Sequence, residues 1–284
     1  MDFSLASVVP RRVATPARAR AEVAARGAAI LGGFAGREAA FAAGRAFLGA
    51  DLRRFGLQVE ATTAKREAEA AAIAAQPADE RGRKRRFNGT TERMVAHNDG
   101  FGFGDFGPDF LFLWCGRPDA AGEGASFLVD GLALLELMAG DPDYADVARF
   151  AWGTGIDQSE PNFPLAACAP IARRLPSGRV QVRHHPFQAP APGQAPDTEA
   201  AQAALIGRWS KAVTAARDAG PMFRARAGDL ICVDNYRLTH GRDGYSDPGR
   251  VMLSIWGWSA DAVAVPEGPL DIVRPVIPPA MTAA

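Results

Sequence analysis

Net charge is the first thing this sequence lacks: acidic and basic residues balance at 32 each over 284 residues. A nucleic-acid-binding domain shows a basic excess or a basic stripe, so the balance argues against that class of partner. The local basic run Arg81-Gly82-Arg83-Lys84-Arg85-Arg86 reads as a solvated loop face, the ordinary fate of a charge run. Long hydrophobic runs are missing as well. No segment reaches the ~18 consecutive apolar residues of a membrane span, and the first residues lack the apolar stretch of a secretory signal. They are Arg/Ala-rich and acid-poor, which imitates an organelle presequence, but so does the texture of the whole chain. A soluble cytoplasmic protein without a membrane partner is expected. Cysteine is scarce: Cys115, Cys168 and Cys232 show no C-x-x-C spacing and cannot all pair. Cys115 and Cys232 lie in apolar runs and read as core residues in a reducing compartment. Histidine is nearly as scarce, with His97, His184, His185 and His240 the whole supply.

No internal repeat or composition break divides the chain, and β-barrel folds of this size commonly form one domain. A single domain over residues 1–284 is expected. Thr15 to Arg26 has the Ala/Arg/Glu pattern of an exposed helix, and Gly27 to Gly33 reads as a short strand ended by a glycine pair. Helical composition resumes over Ala39 to Leu52. Ala61 to Ala75 is a polar, alanine-rich helix or mobile segment, and the stretch over about residues 62–93, poor in hydrophobic weight up to Arg86, is a candidate flap near a site.

From Met94 the texture changes to short strands between glycine- and proline-rich turns. Phe110 to Cys115 is a near-continuous apolar run, as for a strand buried on both faces, and Ser126 to Asp130 is another. Two short helices are expected over Gly131 to Met138 and Pro142 to Phe150. Strands are expected over Ala151 to Ile156, Leu165 to Ala169 and Arg179 to Arg183. A long helix follows over Thr198 to Ala219, with Thr198 as N-cap and Gly220-Pro221 as its stop. Met222 to Arg226, Leu230 to Val233 and Val251 to Trp258 read as closing strands.

The chemistry gathers around Gly228 to Trp258. An apolar strand ends in Asp234-Asn235, residues that favour turns. His240 follows in what reads as a loop bounded by Gly241 and Gly244, and Arg250 opens the next apolar run. His240 needs a partner, which the H-x-D pair His97-Asn98-Asp99 offers. In a strand or at its exit, residues i and i+2 point to one face, so an imidazole and a carboxylate converge on one cation. Two histidines and one carboxylate on one face of an octahedral metal, with the opposite face open, are the arrangement of non-haem Fe(II) oxygenases. A lone H-x-D is common by chance. An arginine at the mouth of the following strand adds weight, because its planar fork holds a carboxylate in two-pronged fashion.

The chain resembles the TauD/TfdA-like (taurine-dioxygenase-like) Fe(II)/2-oxoglutarate-dependent dioxygenases, which are close to the clavaminate-synthase-like group. The resemblance runs from Arg26-Gly27-Ala28-Ala29-Ile30-Leu31 through His97-Asn98-Asp99 and the segment Gly122 to Asp130. It ends with Asp234-Asn235-Tyr236-Arg237-Leu238-Thr239-His240-Gly241-Arg242 and Arg250. It implies a mainly β fold with flanking helices, a distorted double-stranded β-helix (jelly roll or cupin-like barrel) with helices packed on one side. It implies that His97, Asp99 and His240 bind Fe(II), that Arg250 clamps the distal carboxylate of 2-oxoglutarate, and that Ser126 assists where the family usually has threonine. Glu123 departs from the glycine pair of the family's segment. The reaction implied consumes O2, decarboxylates 2-oxoglutarate to succinate and oxidises an aliphatic C–H of a small molecule. An amino acid, an amine or a secondary-metabolite intermediate is the expected substrate. Halogenating members replace the carboxylate with a small residue, so Asp99 favours hydroxylation.

Further positions are weighed against plain packing. Asn98, Phe101 and Phe103 line a substrate pocket or the core. Arg183 meets a substrate carboxylate or a rim ion pair. One of the adjacent pair His184 and His185 faces the cavity. Arg242 and Tyr236 support His240. Trp256 and Trp258 share a strand face and read as core. Two rivals stand beside the oxygenase: a non-catalytic jelly-roll metabolite sensor, and a Zn2+-dependent hydrolase using the same three ligands. A homo-oligomer is left open.

Overall fold

The computed structural model describes residues 1–59, 71–72, 74–78, 82, 91–161, 165 and 167–267, with the backbone alone at 57–59. Most of the flap expected over 62–93, and most of the helix expected over Ala61 to Ala75, lie outside the described residues.

Two β-sheets face one another. The larger has six strands in the order β1 (Arg11–Val13), β2 (Ala28–Leu31), β11 (Leu230–Asp234), β5 (Phe110–Arg117), β13 (Val251–Trp258) and β3 (Arg54–Val59). The smaller has three: β4 (Met94–His97), β12 (Leu238–Arg242) and β6 (Ser126–Asp130). Two short pairs, β7 (Ile156–Asp157) with β8 (Cys168–Ala169) and β9 (Ala172–Arg174) with β10 (Val180–Val182), lie apart from both sheets. Helices α1 (Pro16–Arg26) and α2 (Arg37–Leu48) cover the outer face of the large sheet. Helices α3 (Gly131–Ala139), α4 (Ala145–Gly153) and α5 (Pro196–Ala219) cover that of the small one. Helices therefore pack on both sides rather than one. Among the described residues no helix is long and apolar enough to cross a membrane.

These layers explain the near-continuous apolar strands. Successive side chains on a strand point to opposite faces, and here each face has something to pack against. In β11, Leu230 and Cys232 meet α1 and α2 while Ile231 and Val233 enter the space between the sheets. In β13, Leu253 and Ile255 face the helices while Trp256 and Trp258 face inward. In β6, Leu128 faces inward while Phe127 and Val129 meet α3 to α5. Cys115 and Cys232 are buried free thiols, as expected of core residues.

No hydrogen-bonded ladder joins the two sheets among the described residues, so the expected barrel is not closed. The free edge of β6 is instead taken by single bridges to Ser7 and Phe223. Other expectations shift locally. The strand expected over Met222 to Arg226 is reduced to that bridge at Phe223, and Ala151 belongs to α4 rather than to a strand. Helix α5 begins at Pro196, with Ala195 as its N-cap and Thr198 already inside. Proline at the first helical position has its φ pre-set and needs no N–H there.

Gly241 shows how tightly the small sheet is built around the future site. A Cβ at this position would lie 2.3 Å from Phe127 Cζ and 2.6 Å from the Met94 carbonyl oxygen, which is backbone and cannot swing away. Gly241→Ala is therefore expected to destabilise the protein by about 1–3 kcal/mol, as overpacking does, measured from the denaturant midpoint. An unchanged midpoint would show that the sheet yields at this position.

Candidate functional site

His240 is not in a loop. It sits in the middle of β12, paired on one side with His97 at the end of β4 and on the other with Leu128 of β6. This cross-strand pairing holds the two imidazoles with ring centroids 4.4 Å apart. Asp99, two residues beyond His97, completes the group: one ligand atom from each of the three lies within 4.8 Å of the others. Asp99 Oδ1 is 3.3 Å from His97 Nε2 and 3.4 Å from His240 Nε2. His97 Nδ1 lies 2.9 Å from the Val95 carbonyl oxygen, which can only accept. That bond places the proton on Nδ1 and leaves Nε2 to aim a lone pair toward Asp99. Lone pairs converging on a carboxylate repel, so either a proton on an imidazole or a cation among the three is needed to turn the repulsion into attraction. Two imidazoles and one carboxylate in this disposition fit a divalent ion of the Fe(II) type.

Burial works to raise the Asp99 carboxyl, but hydrogen bonding to the two imidazoles overcomes it and holds Asp99 well below the usual carboxylate range. Burial and the neighbouring His97 lower His240, against the pull of Asp99. Both effects favour the protonation states that a metal requires, an ionised carboxylate and a neutral imidazole. The Asp99 side chain keeps 16% of its surface exposed, so the group remains accessible.

Two asparagines lock the backbone that carries the H-x-D pair. Asn235 Oδ1 accepts from the Asp99 N–H at 2.9 Å, and its Nδ2 donates to the Asp99 and Pro108 carbonyls. Asn98 Nδ2 donates to the Asn235 and Leu238 carbonyls, while its Oδ1 accepts from the His184 N–H. Asn98, expected at the substrate, is thus engaged with backbone. The Asp99 carboxylate has two further partners on β13: Ser254 Oγ and Trp256 Nε1 both donate to Oδ2. Nothing in the sequence pointed to Ser254, and Trp256 was expected only as core.

Arg250 immediately precedes β13, and its guanidinium lies 4.6 Å from the centroid of the Tyr245 ring. It rests close against Gly124, where a Cβ would come within 3.3 Å of Arg250 Nε and where φ is +69°. No carboxylate pairs with Arg250 among the described residues. Ser126 stands on β6 opposite Arg242, two residues from the Leu128 that faces His240. Arg242 donates to the Glu92 and Asp243 carbonyls and also approaches the Tyr245 ring.

Other expected residues have partners within the fold, although Asn98, Phe101, Arg183 and Tyr236 line one cavity with Asp99. Arg183 donates to Asp105 and Gln181. Tyr236 accepts from the Val263 N–H through its hydroxyl, so it ties down a distant segment rather than supporting His240. Phe101 remains at the site, edge-on to His97 at 6.4 Å and stacked on His185 at 4.5 Å. Phe103 packs in the core against Trp256.

His184 also departs from the expected substrate role. Its Nδ1 lies 2.8 Å from the Ala96 carbonyl and its Nε2 2.9 Å from Ser210 Oγ, so both nitrogens are engaged within the fold. Burial pushes His184 down from 6.5 to about 4. As pH falls, the unfolded chain takes up this proton near 6.5 and the folded chain only near 4. The folded state thus loses stability across that window, by about 3 kcal/mol for a shift of this size. Urea unfolding of the parent and of His184→Gln between pH 7 and pH 4 should show a shallower decline in the variant. Parallel declines would contradict this account of His184.

Residues 2–256 match the family described as taurine catabolism dioxygenase TauD, TfdA family. No curated protein matches the sequence significantly. Among solved structures, the chain is similar to a putative alpha-ketoglutarate-dependent taurine dioxygenase from Burkholderia xenovorans, with 17% identity, TM-score 0.57, and coverage of 90% of this chain and 87% of that one. It is similar to an asparagine oxygenase with 19% identity, TM-score 0.54, and coverage of 87% and 78%. It is similar to the PvcB protein from Pseudomonas aeruginosa with 17% identity, TM-score 0.53, and coverage of 86% and 79%. With a family match over nearly its whole length and a His-Asp-His group in place, the chain belongs to the TauD/TfdA family of Fe(II)- and 2-oxoglutarate-dependent dioxygenases.

Proposed function

We propose that this dioxygenase hydroxylates an aliphatic C–H of a small molecule of the amino-acid class, with His97, Asp99 and His240 as the iron ligands. The observation that carries the reading is the convergence of these three side chains, with the carboxylate-free Arg250 near the mouth of β13. When bound, Fe(II) supplies the activation of O2 coupled to decarboxylation of 2-oxoglutarate to succinate. The chain's own residues bind and orient. Arg250 holds the distal carboxylate of 2-oxoglutarate by a two-pronged charge-assisted contact, and the Ser126 hydroxyl stands on the inward face of β6 to assist it. Phe101 walls the space beside His97 and keeps water from the reacting carbon. The retained Asp99 carboxylate favours hydroxylation over halogen transfer.

The two facing sheets support reading the fold as an opened double-stranded β-helix, and the core cluster between them, which joins Leu128 and Leu238 of the small sheet to Ile231 and Trp256 of the large one, supports one domain. For the substrate class, support comes from the solved structures similar in fold. One holds an asparagine oxygenase with Fe(II), 3-hydroxyasparagine and succinate, and another the oxygenase OrfP with hydroxy-L-Arg.

Across a panel of amino acids and amines, one class should stimulate Fe(II)-dependent release of succinate from 2-oxoglutarate. His97→Ala and Asp99→Ala should abolish that release. Arg250→Ala should raise the 2-oxoglutarate KM about 10- to 100-fold, as expected for losing hydrogen bonds to a charged group, and change kcat less. An unaltered KM would remove Arg250 from the cosubstrate site, and succinate release that survives His97→Ala would sink the ligand assignment.

A further inference from the structure

The Asp99 carboxylate is divided between two tasks. Oδ1 faces both imidazoles, at 3.3 Å from His97 Nε2 and 3.4 Å from His240 Nε2. Oδ2 faces the opposite sheet, where it accepts from Ser254 Oγ at 2.9 Å and from Trp256 Nε1 at 2.8 Å. Two donors on one oxygen take up both of its lone-pair directions. With the Asp99 backbone held on both sides by Asn235, the carboxylate can neither turn over nor offer its second oxygen.

We propose that Ser254 and Trp256 are positioning residues that confine Asp99 to ligation through Oδ1 alone. The proposal rests on the assignment of His97, Asp99 and His240 as metal ligands. A carboxylate free to chelate through both oxygens would take a second coordination position, one that 2-oxoglutarate or O2 needs. Here that position is kept clear by an indole N–H and a hydroxyl supplied from a different sheet.

The local structure is built to hold these donors still. Trp256 is buried between Phe103, 5.2 Å away edge-to-face, and Trp258 at 6.0 Å. An indole can only donate, and its ring cannot rotate within such packing, so its N–H has a fixed direction. Ser254 stands where the register between β13 and β3 shifts, a bulge of the kind that re-aims a side chain. Both face inward because they are two residues apart on one strand.

Cobalt(II) added to the metal-free full-length protein is the probe, followed by calorimetry and by visible absorption. The parent should bind one Co(II) per chain. Ser254→Ala and Trp256→Phe should each weaken binding about 10- to 100-fold, the usual effect of removing a partner that orients a ligand. Their cobalt absorption should also change, because the released Oδ2 joins the coordination sphere. Ser254→Thr keeps the hydroxyl and should retain the parent's affinity and spectrum, an outcome that a purely structural role for position 254 does not require. Melting of the metal-free proteins identifies any variant that fails to fold, and if Trp256→Phe does so the Ser254 pair decides alone. Parent-like cobalt absorption in both Ser254→Ala and Trp256→Phe would overturn the proposal, whatever the affinity. A parent that binds no cobalt would overturn the ligand assignment itself, and the proposal with it.

Discussion

A buried carboxylate that cannot move is the constraint on which the site depends. Ionised groups are costly to bury unless every lone pair finds a partner, and Asp99 finds partners from three directions. The imidazoles of the small sheet face one oxygen, the donors of the large sheet hold the other, and Asn235 grips the backbone between. Asp99 thereby acts as a strut between the two sheets. Where no ladder among the described residues closes the barrel, this polar contact and the Trp256–Trp258–Phe103 packing fix how the sheets face each other at the site.

Strand β13 carries much of the rest. Arg250 stands at its start, Ser254 and Trp256 follow on its inner face, and Trp258 Nε1 donates to the Phe106 carbonyl at its far end. One strand therefore connects the proposed grip on the cosubstrate with the support of the Asp99 carboxylate. A shift of β13 would disturb both together.

Much of this was legible in the sequence because strands obey a period of two. That period puts His97 and Asp99 on one face, the continuous apolar runs at Phe110 and Ser126 mark strands buried on both faces, and the family resemblance singles out Arg250 ahead of the last apolar strand. Other features were hidden for identifiable reasons. Gly241 and Gly244 made His240 look like a turn residue, whereas Gly241 is small because Phe127 and the Met94 carbonyl occupy its Cβ position. Asn98 stands between two site residues and so read as a substrate contact, but its amide closes three backbone hydrogen bonds. Trp256 was expected to share a buried strand face with Trp258, as it does. That its N–H meets a carboxylate 157 residues away depends on how the sheets stack, which no local pattern encodes.

His97, Asp99, His240 and Arg250 are proposed to form one chelating site for a keto-diacid. The most direct test is anaerobic calorimetric titration of 2-oxoglutarate into the metal-free protein, with and without Mn(II) as an oxygen-inert stand-in. The account predicts 2-oxoglutarate binding tighter with the metal by a factor on the order of 5–150, the usual range for coupled sites. The same affinity with and without metal would contradict it.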